Sequence, residues 1–270
     1  MPKVQVADGE IHYEEVGAGE PMLLLHGLGS CLEDWELQIP VFAREHRVIS
    51  MDLRGHGTSL KPSGPYSMAQ LARDARAVLE ATRTGPVHVV GLSLGGMVAF
   101  QLAVDAPELV RSLVIVNSAP EVIARTLNER LMLLTRRVLF AVLGLKGLAG
   151  RIAQMNFPRP DQADLRQKLV DRLVANDPVA YAATMKAIVG WSVADRIGNI
   201  RCPTLIISAD HDYTPVSHKE AYAAKIPGAR VAVIANSRHV SPIDQPEELN
   251  RLVLEFLGGQ VATARTATLP

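Results

Sequence analysis

The sequence predicts an α/β protein: a mainly parallel central sheet flanked by helices, carrying a helical lid insertion. Short β-branched runs alternate with helical stretches along most of the chain, and such alternation implies βαβ units and a sheet covered on both faces. From about Glu121 to Asp195 the alternation stops, leaving helical patterns punctuated by Gly144, Gly147, Gly150, Pro158, Pro160 and Pro178. In His88 to Phe100, HVVGLSLGGMVAF, a polar Ser93 stands between an apolar strand-like run and an apolar helix-forming run. That serine belongs to a strand-to-helix turn.

Taken in order, Glu10 to Val16 and Met22 to Leu25 have strand patterns around a Gly17/Gly19 turn, and Arg47 to Met51 has another. Strand-like runs recur at Val87 to Val90, Leu113 to Val116, Leu205 to Ser208 and Val231 to Ile234. Helical patterns fill Met68 to Glu80, Leu94 to Val104, Ser217 to Ala224 and Pro246 to Leu257. The expected organisation is a core in two parts, residues 1–120 and 196–257, a lid at 121–195, and a tail at 258–270. The tail is small and polar enough to be loose.

With 48% hydrophobic and 21% charged residues, the 270-residue chain can bury a sizeable core. Lys plus Arg and Asp plus Glu balance at 28 each, which removes the basic field expected of a nucleic-acid binder and leaves small molecules as the expected partners. Cys31 and Cys202 lie far apart and in no metal-ligand spacing, which suits a reducing compartment, although the sequence leaves a pairing between them open. The N-terminus lacks an apolar segment followed by a small-residue cleavage site, so a cytoplasmic protein is expected. Leu131 to Leu145, the apolar tract most worth testing as a membrane span, is too short and is broken by Arg136 and Arg137. No membrane association is expected, and the sequence carries no signal for oligomeric state.

Gly91-Leu92-Ser93-Leu94-Gly95 fits G-x-S-x-G, the pattern of a nucleophile elbow. A sharp turn strains the serine backbone, and only residues without side-chain bulk pack beside it. Ser93 as a plain helix cap is the competing reading. A serine hydroxyl becomes a useful nucleophile when an imidazole takes its proton, and the imidazole needs a carboxylate to fix its tautomer. Of eight histidines only His211, His218 and His239 follow Ser93. His239 falls in the loop after the Val231 to Ile234 strand, at the end of the sheet where open α/β proteins carry their sites. His211 and His218 are expected at the surface.

Two acids, Asp210 and Asp212, leave the Leu205 to Ser208 strand. Asp212 is preferred, because Asp210, nearer the strand end, suits a turn-forming or capping role. Acyl transfer also requires donors for an oxyanion. The N–H of Leu94, after the serine, and the N–H of Leu28, in His26-Gly27-Leu28-Gly29, are the expected pair. His26 precedes the serine and is assigned to bracing that loop.

These segments resemble the α/β-hydrolase fold family over nearly the whole chain. The resemblance is carried by His26 to Gly29, by Asp52-Leu53-Arg54-Gly55-His56-Gly57-Thr58-Ser59, by Gly91 to Gly96, by Cys202-Pro203-Thr204 through Asp212, and by His239 followed by Asp244-Gln245-Pro246-Glu247. In the family the second segment is a structural turn, so Asp52, Arg54 and His56 stay outside the catalytic set. Members with aspartate at the elbow include dehalogenases and epoxide hydrolases, whereas this chain has Ser93. Carbon–carbon hydrolases of the family often have tryptophan soon after the histidine, where this chain has Val240 and Ser241. The resemblance is therefore strongest to carboxylesterases and enol-lactonases, with cofactor-free perhydrolases sharing the same triad.

The expected substrate is an ester or lactone, and the expected chemistry needs neither metal nor organic cofactor. Leu127, Leu131, Leu134, Val138, Val142 and Leu145 recur at helical spacing. This stripe either packs on the core or roofs an acyl pocket. In the second case Leu131, Leu134, Trp191 and Val240 are the expected substrate contacts, with Phe157 near the same space. Seven basic side chains face two acidic ones between Glu121 and Pro160. A solvated helix face accounts for them, and attraction for carboxylate-bearing substrates is the alternative. Carbon–carbon hydrolysis, perhydrolysis and a small-molecule receptor built on the same fold are the competing functions.

Overall fold

A computed structural model describes residues 2–267. Its sheet has eight strands: β1 (Lys3–Val6), β2 (Gly9–Val16), β3 (Glu20–Leu25), β4 (His46–Met51), β5 (Val87–Leu92), β6 (Val110–Val116), β7 (Thr204–Ala209) and β8 (Arg230–Ile234). They lie in the order β1-β2-β4-β3-β5-β6-β7-β8. The β1–β2 hairpin is antiparallel, β2 meets β4 antiparallel, and every pairing from β4 to β8 is parallel.

The strands of the centre are apolar at most positions because both faces are covered, with His88 in β5 and Arg111 and Ser112 in β6 among the exceptions. Leu23 and Leu25 of β3 join a core with Val89 and Ile115 on one face. Met22 and Leu24 join Val90, Val114 and Ile207 on the other. The helices are α1 (Ile39–Phe42), α2 (Met68–Thr82), α3 (Leu94–Asp105), α4 (Leu127–Asn156), α5 (Ala163–Val174), α6 (Pro178–Ile188), α7 (Val216–Ala223), α8 (Ser241–Asp244) and α9 (Pro246–Ala267). Helices α2, α3 and α7 cover the first face and α1 and α9 the second.

Between β6 and β7 the chain makes α4, α5 and α6, with a third apolar cluster of their own that includes Leu148, Phe157, Leu169 and Tyr181 and reaches Val240 and Ile243. The two ends of this excursion are zipped together. Glu121 and Ser192 form an isolated antiparallel bridge, and Val122 N–H donates to the Trp191 carbonyl at 2.8 Å. Helix α4 is interrupted at Gly144, whose φ of 63° is open to glycine. Asp177 caps α6, accepting from the Ala180 N–H at 2.8 Å, with Pro178 in the first turn.

The last helix departs from its expected end at Leu257. The backbone is helical to Ala267 rather than loose from Gly258, and residues 268–270 of the expected tail lie outside the described residues. Cys31 and Cys202 are free thiols. Among the described residues no helix is long and apolar enough to cross a membrane.

Candidate active site

Ser93 closes the turn from β5 into α3 with φ 52° and ψ −111°, a backbone state that costs a non-glycine residue about 1–3 kcal/mol. Packing holds it there. A Cβ on Gly91 would stand 2.4 Å from the Gly95 carbonyl oxygen, and a Cβ on Gly95 would stand 2.0 Å from that of Leu25. No side chain fits at either position, which is the steric content of the G-x-S-x-G pattern. The Ser93 N–H donates to the Val116 carbonyl at 3.0 Å, and Ser118 Oγ donates to the Ser93 carbonyl at 2.6 Å.

The loop after β8 brings His239 Nε2 to 2.8 Å from Ser93 Oγ. Its Nδ1 lies 2.5 Å from Asp212 Oδ1, on the loop after β7. Burial alone would raise the Asp212 pKa, but the His239 and Lys219 side chains outweigh it and hold the carboxyl well below the usual carboxylate range. With Asp212 ionised, the His239 proton belongs on Nδ1, which leaves Nε2 free to accept from the serine hydroxyl. Asp210 does something different. Its carboxylate accepts from the Asn236 and Ser237 N–H groups at 2.8 and 3.0 Å, joining the loops after β7 and β8.

Three further residues support this arrangement. Lys219, fully buried on α7, pairs with Asp212 Oδ2 and donates to both oxygens of Thr214 at 2.7 Å. The Tyr213 ring stacks on His239 with centroids 4.2 Å apart. Asn117, at φ 46° after β6, accepts from the Ala209 N–H at 2.7 Å and donates to the His239 carbonyl at 2.9 Å and to Ser241 Oγ at 2.8 Å. One amide thus ties the acid strand to the histidine loop. Sequence reasoning did not single out these three. The available signal was local: an asparagine ending the apolar run of β6, and a tyrosine directly after the acid.

Leu28 and Leu94 both line the cavity beside Ser93, and a Cβ on Gly27 would stand 3.7 Å from Ser93 Cβ. His26 braces its loop, with Nδ1 2.8 Å from the Gly27 carbonyl and Nε2 accepting from the Leu53 N–H at 3.0 Å. Asp52 also serves the turn, accepting from the Leu32 and Thr58 N–H groups. His211 and His218 are exposed, His218 at the cavity edge. Among the described residues no cluster of three or more His, Cys, Asp or Glu side chains is placed to hold a metal ion.

The cavity over Ser93 has a volume of about 580 Å³. Val240 lines it as expected, but Leu131, Leu134 and Trp191 do not. Leu131 and Leu134 point outward, 58% and 54% exposed, because the inward face of α4 carries Leu133 and Arg136 instead. Trp191 turns to α3, where its Nε1 donates to Gln101 Oε1 at 2.7 Å. Phe157 is sealed within the cluster of the inserted helices. The stripe chosen from sequence, whose outward members also include Leu127 at 80% and Val142 at 74% exposure, neither packs on the core nor roofs the pocket along most of its length.

A sheet of this order, with its serine turn at the end of central β5 and a helical excursion after β6, is the architecture of the α/β hydrolases. The chain belongs to the alpha/beta hydrolase fold family, whose profile matches residues 20–246. A protein named "Putative carbamate hydrolase RutD" from Azorhizobium caulinodans is 32% identical over 267 residues, covering 96% of this chain and 98% of that one. 3-Oxoadipate enol-lactonase 2 of Acinetobacter baylyi is 29% identical, covering 91% and 92%. Among solved structures, the enol-lactonase from Burkholderia xenovorans LB400 superposes with a TM-score of 0.87 at 25% identity, covering 95% of this chain and all of that one.

Proposed function

We propose that the protein hydrolyses carboxylic esters or lactones through an acyl-enzyme on Ser93. The contact of Ser93 Oγ with His239 Nε2, backed by Asp212, carries this reading. Ser93 Oγ bonds to the substrate carbonyl carbon while His239 takes the hydroxyl proton. The N–H groups of Leu28 and Leu94 receive the oxyanion. Collapse breaks the carbon–oxygen bond to the leaving alcohol, which takes the proton from His239. Water, deprotonated by the same imidazole, then attacks the acyl-enzyme and releases the acid and Ser93. Residues 121–195 act as the lid that closes the pocket, with Val240 among the substrate contacts.

Similarity to an enol-lactonase in both sequence and structure supports the ester and lactone class. Similarity to a protein named for carbamate hydrolysis favours a carbamate as a second substrate class, since its carbonyl is open to the same attack. The test is hydrolysis of p-nitrophenyl esters from acetate to long acyl chains, beside an aryl carbamate. Ser93→Ala should lower kcat/KM by roughly 10⁴- to 10⁶-fold, as in other triad enzymes. A variant that keeps wild-type turnover would exclude Ser93 as the nucleophile.

A further inference from the structure

Two arginines line the cavity over Ser93, and they differ in how their charge is met. Arg125 forms a two-point ion pair with Glu121, at 2.5 and 2.9 Å. Arg136 donates from Nη2 to the Tyr181 hydroxyl at 2.9 Å, a neutral acceptor. Its Nε is buried and has no hydrogen-bond partner among the described residues.

The acids of the same cavity are already engaged. Glu121 is held by Arg125, Asp34 by Arg172 and Ser30, and Asp212 by His239 and Lys219. A buried guanidinium N–H without an acceptor is costly, and a guanidinium edge matches a carboxylate at two points. Tyr181 is itself buried on α6 and stacks on Phe140 of α4, centroids 5.5 Å apart, so two helices fix its hydroxyl under the guanidinium.

The guanidinium lines the same cavity as Ser93, His239 and Tyr213. Burial raises the Tyr213 phenol pKa, while the bond from Asn156 and then the Arg136 charge oppose that shift. Arg136 therefore lies within electrostatic reach of the ring that stacks on His239. Much of the remaining wall is aliphatic, with Leu133, Ile152, Leu173, Met185 and Ile188. An aliphatic channel holding one unmatched cation suits a short apolar chain that ends in an anion.

We propose that Arg136 binds a carboxylate carried by the substrate, so that the preferred substrates are esters or lactones bearing a terminal carboxylate on a short aliphatic chain. The proposal rests on the hydrolase reading for the reaction at Ser93, but the anion site itself can be measured without turnover.

Two measurements test it. The first compares the p-nitrophenyl half-ester of glutarate with p-nitrophenyl pentanoate, which has the same chain length without the carboxylate. The wild-type protein should favour the half-ester in kcat/KM, and Arg136→Gln should reduce that preference about 10- to 100-fold, the worth of a charge-assisted hydrogen bond. Arg136→Lys should recover only part of it, because the point charge remains while the fork is lost. The second titrates glutarate into the Ser93→Ala protein by calorimetry. Saturable binding is expected, weakened at least about 10-fold when Arg136→Gln is added.

Ser93-dependent hydrolysis with no preference for the half-ester in the wild-type protein would overturn the anion site and leave the hydrolase reading intact. So would glutarate binding that ignores Arg136. Arg136-dependent glutarate binding in a protein that hydrolyses neither ester would do the reverse, supporting the anion site while removing the hydrolase reading. The wild-type comparison and the glutarate titration into Ser93→Ala need no Arg136 variant, so absence of both the preference and the binding overturns the proposal even if Arg136→Gln does not fold.

Discussion

Lys219 determines how strongly Asp212 can act on His239. Its ammonium occupies one oxygen of the carboxylate while the imidazole occupies the other, so the negative charge that would stabilise an imidazolium is shared with a fixed cation. Removing that cation should make protonated His239 easier to form. Lys219→Met is therefore expected to move the acid limb of the kcat/KM profile to higher pH. Lys219 acts as a positioning residue, and a purely structural loss would lower activity without displacing the limb. Because Asp212 is held below the ordinary carboxylate range, it stays ionised across that limb. A plot of log kcat/KM should then fall with a slope of one proton, and a slope of two would mean that the acid titrates along with the base.

The same shifts bear on stability, with a definite sign. Asp52 is buried, and despite that burial the neighbouring His26 ring and the N–H donors of Thr58 and Leu32 keep its pKa lowered, as His239 and Lys219 do for Asp212. A carboxyl depressed on folding contributes stability that is fully present above its unfolded value, about 3.9 for aspartate, and is lost as pH falls through the lower native value. The urea midpoint should hold at pH 5 and drop when the protein is acidified below about 4. An unchanged midpoint at pH 3 would contradict the balance of interactions at these two residues.

At the scale of the element, the inward and outward faces of α4 decide most of what sequence alone left open. Leu131, Met132, Leu133 and Leu134 are consecutive and all apolar, so hydrophobic periodicity has little contrast from which to choose a face. The fold places Leu133 and Arg136 inward and leaves Leu131 and Leu134 in solvent. Arg136 belongs to the basic set for which the sequence leaves two readings, a solvated helix face and attraction for carboxylate-bearing substrates, and the missing contrast again hides which of those side chains turns inward. Combined Leu131→Ser and Leu134→Ser should cost less than about 1 kcal/mol in urea unfolding, since each is a surface change. Leu148→Ala, within the buried cluster of the insertion, should cost about 2–5 kcal/mol. Equal costs would mean that α4 sits in another rotation. The serine turn is a stricter element, because its glycines face backbone rather than flexible side chains. Gly95→Ala should abolish the native fold of the turn and with it the activity, read by loss of soluble protein or of near-ultraviolet circular dichroism.

Over the whole molecule, legibility followed burial. Strands β3, β5, β6 and β7 are covered on both faces and stand out as apolar runs, and each was placed within a few residues of its observed ends. Strand β1 escaped notice because its KVQV sequence is short and half-exposed at the sheet edge. The residues at the ends of β5, β7 and β8 were legible because a serine between glycines, an acid after a strand and a histidine after the last strand follow the chain order of this fold. Asn117 and Tyr181 were not, since each acts through partners distant in sequence: Asn117 on Ala209 and His239, Tyr181 on Arg136. Long-range pairs of this kind become visible only when the sheet brings its loops to one end.

The central claim is that Ser93 is a nucleophile activated by His239 and Asp212, and covalent trapping tests it most directly. The protein would be treated with diethyl p-nitrophenyl phosphate, which transfers a phosphoryl group to an activated serine, and its intact and peptide masses measured. The account predicts one adduct per chain, located on Ser93, absent from Ser93→Ala and formed much more slowly by His239→Ala. An unmodified protein, or an adduct retained by Ser93→Ala, would contradict it.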